Sequence, residues 1–383
     1  MKRTIVIKLQ TNPEQHEALL LLQKKFARAC NQIAVIARES LCWNDYKLHR
    51  LAYYPIREET SLGAQLVCQA IGAVCSAYKA LKIKRSDKIP LISFRPTIAI
   101  PFDKRIYSFK NEKLSLYTFN GRISVPLVFG ELQNNLHKQG KEKEALLVYK
   151  HKKGWYFNLV LDLPDVPLPV VAKTRTNVLG VDLGENVLAA TSSGKTFSGK
   201  KLRHTSDTRL AQRRRLQRNG SRSAKKRLRK VSGKEARFIK HVNHQISKAI
   251  IKEALSLGCL FIALEDLKNI RKRIRGGKRI RTRLHRWSWH QLQLFIKYKA
   301  EAQGIQVIFV SPAYTSKLCS ECGSIGVRDK HRFACKVCGI QRHSDLNASL
   351  NIRRIAVSAD AATGTVNYPQ CSSSNKLAIS SAL

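Results

Sequence analysis

The chain has 383 residues, with 70 Lys and Arg against 26 Asp and Glu, which gives a formal net charge of +44. This imbalance argues against a compact protein without partners and predicts a polyanion partner, for which nucleic acid fits better than a membrane. No apolar run reaches the roughly 20 residues that a membrane-spanning helix needs, and the N-terminal apolar run is too short for a signal peptide, so we expect a cytoplasmic protein.

The N-terminal part of the chain predicts one strand followed by helices. Apolar and polar residues alternate over residues 3–9, which is the pattern of a half-buried strand. Asn12 precedes a run of apolar residues at helical spacing and is the predicted N-cap of the first helix. A second helical region is expected at about 60–82. We interpret the apolar faces of both as ordinary core and assign residues 11–85 to a helical domain.

From about residue 89 to 163 the apolar residues recur with a period of two, which predicts several antiparallel strands joined by short turns. The clearest hairpin surrounds Lys152–Gly154. Together with the first strand, this pattern predicts a barrel-like β domain made of residues 1–10 and 86–165, with the helical domain inserted into it. Residues 166–176, rich in Pro and then in basic side chains, are the predicted linker.

Residues 177–357 predict an α/β domain in which a strand and a hairpin are followed by helix, strand, helix and strand. Asp182 ends the first strand, Glu265 ends the strand after the long helix, and Asp345 heads the last helix. Elements in this order, with acids at strand ends, are the pattern of an RNase H-like nuclease core. Residues 358–383 lack periodicity, and we expect a disordered tail there.

Three carboxylates from separate elements can converge at one edge of a mixed sheet, where their mutual repulsion calls for cations. Two Mg²⁺ ions about 4 Å apart would neutralise them, activate water and stabilise a leaving 3′ oxygen. Each acid also has an ordinary interpretation, since Asp182 can be a turn residue and Asp345 a helix N-cap. Glu265 is followed by Asp266, and strand alternation lets only one of them face the site; we assign Glu265. The joint occurrence of the acids favours a nuclease site.

Four of the ten cysteines form two Cys-x-x-Cys-Gly pairs. They are Cys319, Cys322, Cys335 and Cys338. This spacing suits one tetrahedral Zn²⁺ ion, although redox-active pairs share the motif. The short polar loop between the pairs favours zinc, and four thiolates complete its coordination, so we expect a structural rather than a catalytic ion. His331 and His343 lie near enough in sequence to compete as ligands.

Two stretches carry many cations and almost no acids, which favours phosphate contact over an ordinary solvated helix face. The first, residues 200–240, predicts a basic helix that runs on to Gly258. The predicted nucleic-acid contacts are Arg213, Arg214, Arg215, Lys225, Lys226, Arg227, Arg229, Lys230, Arg271, Lys272 and Arg273. Trp287 and Trp289 could stack on bases, but we favour a core role for Trp287, together with Leu292 and Phe295. His241 and His244 are interpreted as surface helix residues.

The motifs around the acids and the cysteines resemble the TnpB family, the OrfB proteins of insertion sequences, which are ancestral to the type V CRISPR effector nucleases. The resemblance rests on GVDLG with Asp182, LEDL with Glu265, and the phrases SPAYTSKLCSECG, ACKVCG and HSDLNASLNI. It extends from residue 1 to about 357. The C-terminal motifs are its most specific part, and the N-terminal helix with RACNQI is similar more loosely.

The resemblance implies that Asp182, Glu265 and Asp345 are RuvC catalytic acids that bind Mg²⁺, and that the four cysteines bind Zn²⁺ in an inserted ribbon, residues 314–342. It also implies that the β domain and its helices are wedge and recognition domains, and that residues 200–240 form a bridge helix. Family members use an RNA transcribed from the transposon end to guide double-strand DNA cleavage. Guide RNA and double-stranded target DNA are therefore the implied partners.

Two other functions are compatible with the same residues. The chain could bind nucleic acid without cutting it, as a repressor or accessory protein of the transposable element, although none of the three acids is missing. It could also be a transposase that performs strand transfer, because RNase H-fold transposases use similar acids. The sequence shows no separate domain for binding inverted repeats, and it does not predict the oligomeric state.

Overall fold

The computed structural model describes residues 1–81, 88–110, 113–151, 153–169, 176–267, 277 and 288–358. The chain divides into two compact units, Met1–Asp165 and Val166–Leu383. Within the described ranges, no helix is both long enough and apolar enough to cross a membrane. Trp287, most of the second basic stretch and residues 359–383 of the predicted tail lie outside the described residues.

The strands of the first unit form one sheet. They are β1 (Lys2–Leu9), β2 (Ile100–Phe102), β3 (Tyr107–Lys110), β4 (Lys113–Thr118), β5 (Gly121–Val128), β6 (Lys141–Lys150) and β7 (Gly154–Asp162). The sheet has seven strands in the order β2-β6-β7-β1-β5-β4-β3, and every ladder is antiparallel. The first strand therefore lies inside the sheet, between β5 and β7.

Aromatic contacts show that this sheet is strongly curved. Tyr107 on the edge strand β3 packs against Phe157 of β7, with ring centroids 5.2 Å apart, and its hydroxyl donates to the carbonyl oxygen of Lys143 in β6 at 2.6 Å. These strands are far apart in the strand order, so the sheet must roll up for the contacts to form. The curvature agrees with the expected barrel-like domain, although among the described residues no ladder joins the two edge strands.

Three helices follow β1 and a fourth follows β5. They are α1 (Pro13–Glu39), α2 (Asp45–Thr60), α3 (Ala64–Ala80) and α4 (Glu131–Gln139). The predicted cap of α1 is confirmed, because the side-chain oxygen of Asn12 accepts a hydrogen bond from the backbone N–H of Gln15 at 2.8 Å. The helix expected at about 60–82 begins only after Gly63.

The sequence pattern missed two of these helices. Only four residues of α2 are buried, one per turn, and Pro55 lies inside the helix, where it normally indicates an end. Helix α4 has no buried residue, so it lacks the apolar stripe by which an amphipathic helix is recognised. The stretch around α4 was expected to contain strands only, and that prediction is wrong.

The second unit contains a mixed sheet. Its strands are β8 (Val178–Asp182), β9 (Val187–Thr191), β10 (Thr196–Ser198), β11 (Phe261–Glu265) and β12 (Gln306–Val310). The order is β10-β9-β8-β11-β12. Strands β8, β11 and β12 are parallel to one another, whereas β9 is antiparallel to both of its neighbours. The strand and hairpin predicted around Asp182, and the strands ending at Glu265 and Val310, are confirmed.

Helices cover both faces of this sheet. They are α5 (Lys200–Asn219), α6 (Arg222–Ser256), α7 (Trp289–Glu301) and α8 (Ser344–Ser358). Ile250 of α6 and Ile296 of α7 pack in one cluster with Leu264 of β11. Ile352 of α8 packs in another cluster with Ala263 of the same strand. Successive residues of a strand point to opposite faces, so the unit has three layers, with α6 and α7 on one side and α8 on the other.

The prediction of one continuous basic helix from residue 200 is wrong. Helix α5 ends before Gly220, which adopts a left-handed φ of 66°, a conformation that favours glycine. Ser221 then caps α6, because its hydroxyl accepts the backbone N–H of Ala224 at 3.1 Å. Helix α6 continues to Ser256. The basic segment is therefore a helical hairpin, and residue 240 lies within α6 rather than at its end.

A small sheet separates β12 from α8. It consists of β13 (Val327–Asp329), β14 (Arg332–Ala334) and β15 (Gln341–His343), which pair antiparallel in this order. Because α8 begins at the residue after β15, the position of this sheet determines where the first turn of α8 lies.

Candidate active site and metal centre

Asp182 and Glu265 face the same side of the sheet. In β11, Leu264 packs with the α6 and α7 layer and Ala263 packs with the α8 layer, so Glu265 follows Ala263 to the α8 side. Val181 likewise packs with the α6 and α7 layer, which turns Asp182 to the α8 side. The parallel register pairs Leu264 with Val181. The next residues, Glu265 and Asp182, therefore lie side by side at the ends of their strands.

Asp266 lies beyond the end of β11, and its backbone N–H donates to the carbonyl oxygen of Val310 at 2.7 Å. The acids whose charges raise the pKa of Asp182 are Glu265 and Asp345, and Asp266 is not among them. This geometry supports the assignment of Glu265, rather than Asp266, to the site.

Asp345 reaches the strand ends from the first turn of α8. This helix lies directly against β8, because a Cβ atom at Gly180 would stand 2.1 Å from the backbone oxygen of Ser349. Only glycine permits such a close approach. The negative charge of Asp345 raises the pKa of Asp182, so the helix brings the third carboxylate into electrostatic range of the other two.

The three acids repel one another in a poorly solvated place. Burial first, and then the charges of Glu265 and Asp345, raise the pKa of Asp182 to about 8. Burial also raises the pKa of Glu265. The guanidinium of Arg328 opposes both shifts. Carboxyl groups whose charged forms are disfavoured in this way are typical of sites that bind cations.

The raised pKa of Asp182 predicts that stability falls as the pH rises. The folded chain keeps a proton on Asp182 up to about pH 8, whereas in the unfolded chain this group ionises near its ordinary value of 3.8. Between these values the native state binds more protons, so its free energy of unfolding decreases with pH, by up to about 1.4 kcal/mol per pH unit. Zinc-loaded chain without other divalent ions should therefore unfold more easily at pH 8 than at pH 5.

The variant Asp182→Asn isolates this contribution in chemical denaturation at the two pH values. It should lose most of the difference between pH 5 and pH 8, whereas Glu301→Gln, which removes an acid from a surface pair with Lys297, should keep it. Added Mg²⁺ should reduce the difference in the parent chain. Equal pH dependence in the parent and in Asp182→Asn would contradict the assignment of the raised pKa to Asp182.

Three side chains that the sequence analysis did not single out support the acids. The hydroxyl of Thr315 donates to Oε1 of Glu265 at 2.5 Å, and the side-chain amide of Gln293 donates to the backbone oxygen of Glu265 at 2.7 Å. Arg328 of β13 pairs with Oδ1 of Asp345 at 3.3 Å. Thr315 stands inside a quoted family motif, but nothing in the spacing of Gln293 or Arg328 indicates these contacts.

The four paired cysteines form one cluster. Their sulfur atoms all lie within 4.8 Å of one another, with Sγ of Cys319 3.6 Å from Cys338 and Sγ of Cys322 3.5 Å from Cys335. All four are free thiols. A tetrahedron with Zn–S bonds of about 2.3 Å has edges of about 3.8 Å, so this donor set fits one Zn²⁺ ion. Hydrogen bonds from Ser324 lower the pKa of Cys322 to about 6, whereas burial and the neighbouring thiols raise the pKa of Cys338, because thiols this close do not all ionise without a cation.

Two asparagines of α8 hold the cysteine module, residues 314–342, against the helix. The side-chain amide of Asn347 donates to the backbone oxygen of Leu318 at 2.7 Å, and its own oxygen accepts the N–H of Ser320 at 3.0 Å. Asn351 donates to the same Leu318 oxygen at 2.7 Å and to that of Thr315 at 2.9 Å. Both asparagines are buried, so the cysteine module and the start of α8 form one connected structure.

Most of the predicted nucleic-acid contacts in the helical hairpin are exposed. The exposed ones are Arg214, Arg215, Lys225, Lys226, Arg227, Arg229 and Lys230. A cavity of about 370 Å³ between α5 and α6 is lined by Lys226, Arg227 and Lys230 together with Arg209 and Lys234. No acid lines this cavity, so it presents a concentrated positive charge.

Four further predicted nucleic-acid contacts are not among these exposed residues. Arg213 pairs with the buried Glu235 of α6 at 3.5 Å, so it joins the two helices of the hairpin. Arg271, Lys272 and Arg273 lie outside the described residues.

Trp289 and two histidines of α6 can also be placed. Trp289 is buried in the core, as are Leu292 and Phe295, for which a core role was expected. His241 is exposed, as predicted, and His244 is partly buried. The His244 ring stacks on Phe295 with centroids 4.0 Å apart, and burial lowers its pKa.

Two family models match the second unit. Residues 163–287 match the OrfB_IS605 model, described as a probable transposase, and residues 289–352 match the TNB domain of Cas12f1-like proteins. The first match includes Asp182 and Glu265, and the second includes Asp345 and all four paired cysteines. The predicted resemblance to the TnpB/OrfB family is confirmed.

The individual relatives carry names from the same group. The chain is 42% identical over 122 residues to the CRISPR-associated endodeoxyribonuclease Cas12f1 of Sulfoacidibacillus thermotolerans, covering 31% of this chain and 28% of the relative. It is 39% identical to the TnpB-like protein MJ0751 of Methanocaldococcus jannaschii, covering 32% and 45%. It is 27% identical to the RNA-guided DNA endonuclease InsQ of Escherichia coli K12, covering 61% of each. The matches thus span less than two thirds of each relative.

A solved structure of the mini-RNA-guided endonuclease CRISPR-Cas_phi3 aligns with 95% of this chain and 93% of its own, at 12% identity and a TM-score of 0.49. A likeness of this strength supports no conclusion about function.

Proposed function

We propose that this chain is an RNA-guided, metal-dependent DNA endonuclease of a transposable element, with an RNase H-like nuclease domain in its second unit. The observation that carries the proposal is the convergence of Asp182, Glu265 and Asp345 on one side of the sheet, where the charges of Glu265 and Asp345 raise the pKa of Asp182. The names of the relatives support a guide RNA and a DNA target as partners.

The acid site fits Mg²⁺ because its donors are carboxylate oxygens, which are the ligands that this ion prefers. We propose that Asp182, Glu265 and Asp345 would together hold two Mg²⁺ ions. When bound, the ions would activate water and stabilise the leaving 3′ oxygen of the cut strand.

The surrounding residues would prepare the acids for this task. Thr315 fixes one oxygen of Glu265 and leaves the other available, while Gln293 fixes the backbone at the same residue. Arg328 balances the charge of Asp345. The planar donors of this guanidinium would also suit a phosphate of the DNA strand.

The four cysteines would hold a structural Zn²⁺ ion, since they complete a tetrahedral shell. Through Asn347 and Asn351, this ion would fix the first turn of α8 and with it the position of Asp345. Zinc would thus contribute to catalysis indirectly, through the geometry of the acid site.

We further propose that the cavity between α5 and α6 binds the phosphate backbone of the guide RNA. Replacing Lys226 and Lys230 with Gln should weaken RNA binding several-fold for all sequences and lower the salt dependence of binding by about one unit of slope for each lost contact. Filter binding of the RNA over a series of salt concentrations measures both quantities. Lys297→Gln, at a surface pair on α7, should change neither; an unchanged slope in the double variant would contradict the proposal.

The proposed function is tested by purifying the chain from cells that also express the flanking transposon-end sequence. We expect a discrete RNA that ends in a variable segment, and cleavage in Mg²⁺ of double-stranded DNA that matches this segment. Tight DNA binding without product in Mg²⁺ or Mn²⁺ would instead favour a repressor. Joining of DNA ends by the chain alone would favour the strand-transfer activity that the description of the family as a probable transposase suggests.

A further inference from the structure

A second group of metal-ligating side chains lies next to the acid site. His331 lies in the turn between β13 and β14, next to Lys330, which has a left-handed φ of 50°. His343 ends β15 and pairs in register with Arg332, and the carbonyl oxygen of His331 accepts the N–H of Ser344 at 2.9 Å. The two imidazole rings therefore face each other, with centroids 5.5 Å apart and planes 16° from parallel.

Asp345 completes this group. Ligand atoms of His331, His343 and Asp345 all lie within 4.8 Å of one another, and Nδ1 of His343 is 3.8 Å from Oδ2 of Asp345. The backbone N–H of Asp345 donates to Nδ1 of His343 at 3.3 Å, which orients the ring. Arg328 stands on the other carboxylate oxygen, Oδ1, at 3.3 Å. Oδ2 thus faces His343, while the guanidinium of Arg328 stands on Oδ1.

We propose that His331, His343 and Asp345 bind one divalent transition-metal ion, of which Zn²⁺ is the best suited. Two imidazoles and one carboxylate are a donor set that Zn²⁺ uses with water in the fourth position, whereas Mg²⁺ prefers oxygen alone. Both histidines are exposed, so their rings can rotate to reach the distance of about 3.3 Å between ligands that bonds of about 2.0 Å require. This ion is distinct from that of the four cysteines.

The shared ligand gives this ion a regulatory consequence, which rests on the proposed function. A cation on Oδ2 neutralises Asp345, while Arg328 continues to occupy Oδ1. The acid site then offers less negative charge to Mg²⁺. Zn²⁺ should therefore inhibit DNA cleavage, and a higher Mg²⁺ concentration should relieve the inhibition.

Binding is tested with Co²⁺, whose visible absorption reports its ligands. The full chain with zinc in the cysteine cluster is titrated with Co²⁺, and we expect one ion with the bands of nitrogen and oxygen ligands and without thiolate charge-transfer bands. His331→Gln and His343→Gln should each weaken binding by roughly tenfold or more. His241→Gln, at an exposed histidine of α6, should leave it unchanged.

The proposal is overturned if the parent binds no such ion, or if the double variant His331→Gln/His343→Gln binds Co²⁺ as tightly as the parent. Zinc content and melting temperature of each variant verify that the cysteine module is intact. Inhibition is measured separately, as the Zn²⁺ concentration that halves cleavage, which should rise at least tenfold in His331→Gln. If the parent cuts no DNA at all, the proposed function fails while the Co²⁺ result still decides the metal site.

Discussion

Asp182→Asn should reduce DNA cleavage by roughly 10³-fold or more while leaving the chain folded and bound to RNA. The expected loss is large because Asp182 is the acid whose pKa the charges of both Glu265 and Asp345 raise. An amide of the same size cannot bring a negative charge to the cations. Cleavage of a matched duplex in Mg²⁺, measured in single turnover with the purified RNA complex, gives the ratio of rates.

The melting temperature of Asp182→Asn shows whether the variant loses cleavage because a catalytic group is missing or because the chain no longer folds. The neutral amide removes a carboxyl that is costly to ionise in the native state, so Asp182→Asn should melt at or above the temperature of the parent at pH 8. Asp266→Asn is the matched control, because Asp266 follows Glu265 but is not among the acids whose charges raise the pKa of Asp182. It should cut DNA at close to the parent rate. Undiminished cleavage by Asp182→Asn would refute the assignment of Asp182 to the site. Loss of cleavage in Asp266→Asn would refute the assignment of Glu265 rather than Asp266.

Cys319→Ser should remove the zinc of the ribbon and, with it, DNA cleavage. Cys319 is completely buried, and structural zinc sites of this kind contribute roughly 10 kcal/mol or more of apparent binding free energy. Without the ion the cysteine module loses its core, and the hydrogen bonds from Asn347 and Asn351 to Leu318 lose a fixed partner. The first turn of α8 then no longer holds Asp345 at the strand ends.

Elemental analysis of the purified chain measures the first effect, as a fall from about one zinc per chain to nearly none. The second is measured as cleavage of the matched duplex. Cys42→Ser is the control, since Cys42 is a partly buried free thiol of the first unit, and it should retain both properties. Full zinc content in Cys319→Ser would show that the cluster does not hold the ion. Full cleavage by a zinc-free variant would show that the ribbon does not position Asp345.

The acid site could be predicted from the sequence because its geometry follows from simple periodicity. Asp182 and Glu265 both stand at the end of an apolar run, and the carboxyl ends of parallel strands lie at one edge of a sheet. The cysteine cluster could be predicted equally well, because a short repeated spacing brings the four sulfurs together. In both cases, local order along the chain determines which side chains meet.

Features that depend on contacts between distant elements could not be predicted from the sequence. Arg328 approaches Asp345 only because a small three-stranded sheet folds back onto α8. Helix α4 has no buried residue, so no pattern of buried apolar residues predicts it. The break at Gly220 lies in a segment so rich in cations that its periodicity is weak, and the sequence was interpreted as one helix for that reason.

The place of β1 inside its sheet has a consequence for how the chain is synthesised. This strand leaves the ribosome well before its ladder partners, β5 and β7, which begin only at Gly121 and Gly154. Helices α1, α2 and α3 can pack together in the meantime, but β1 keeps both hydrogen-bonding edges open until β5 is made, and the edge that pairs with β7 stays open until translation has passed Asp162. Open strand edges in nascent chains promote aggregation. Translation that pauses before this point should therefore be the step at which the first unit is most prone to misfold.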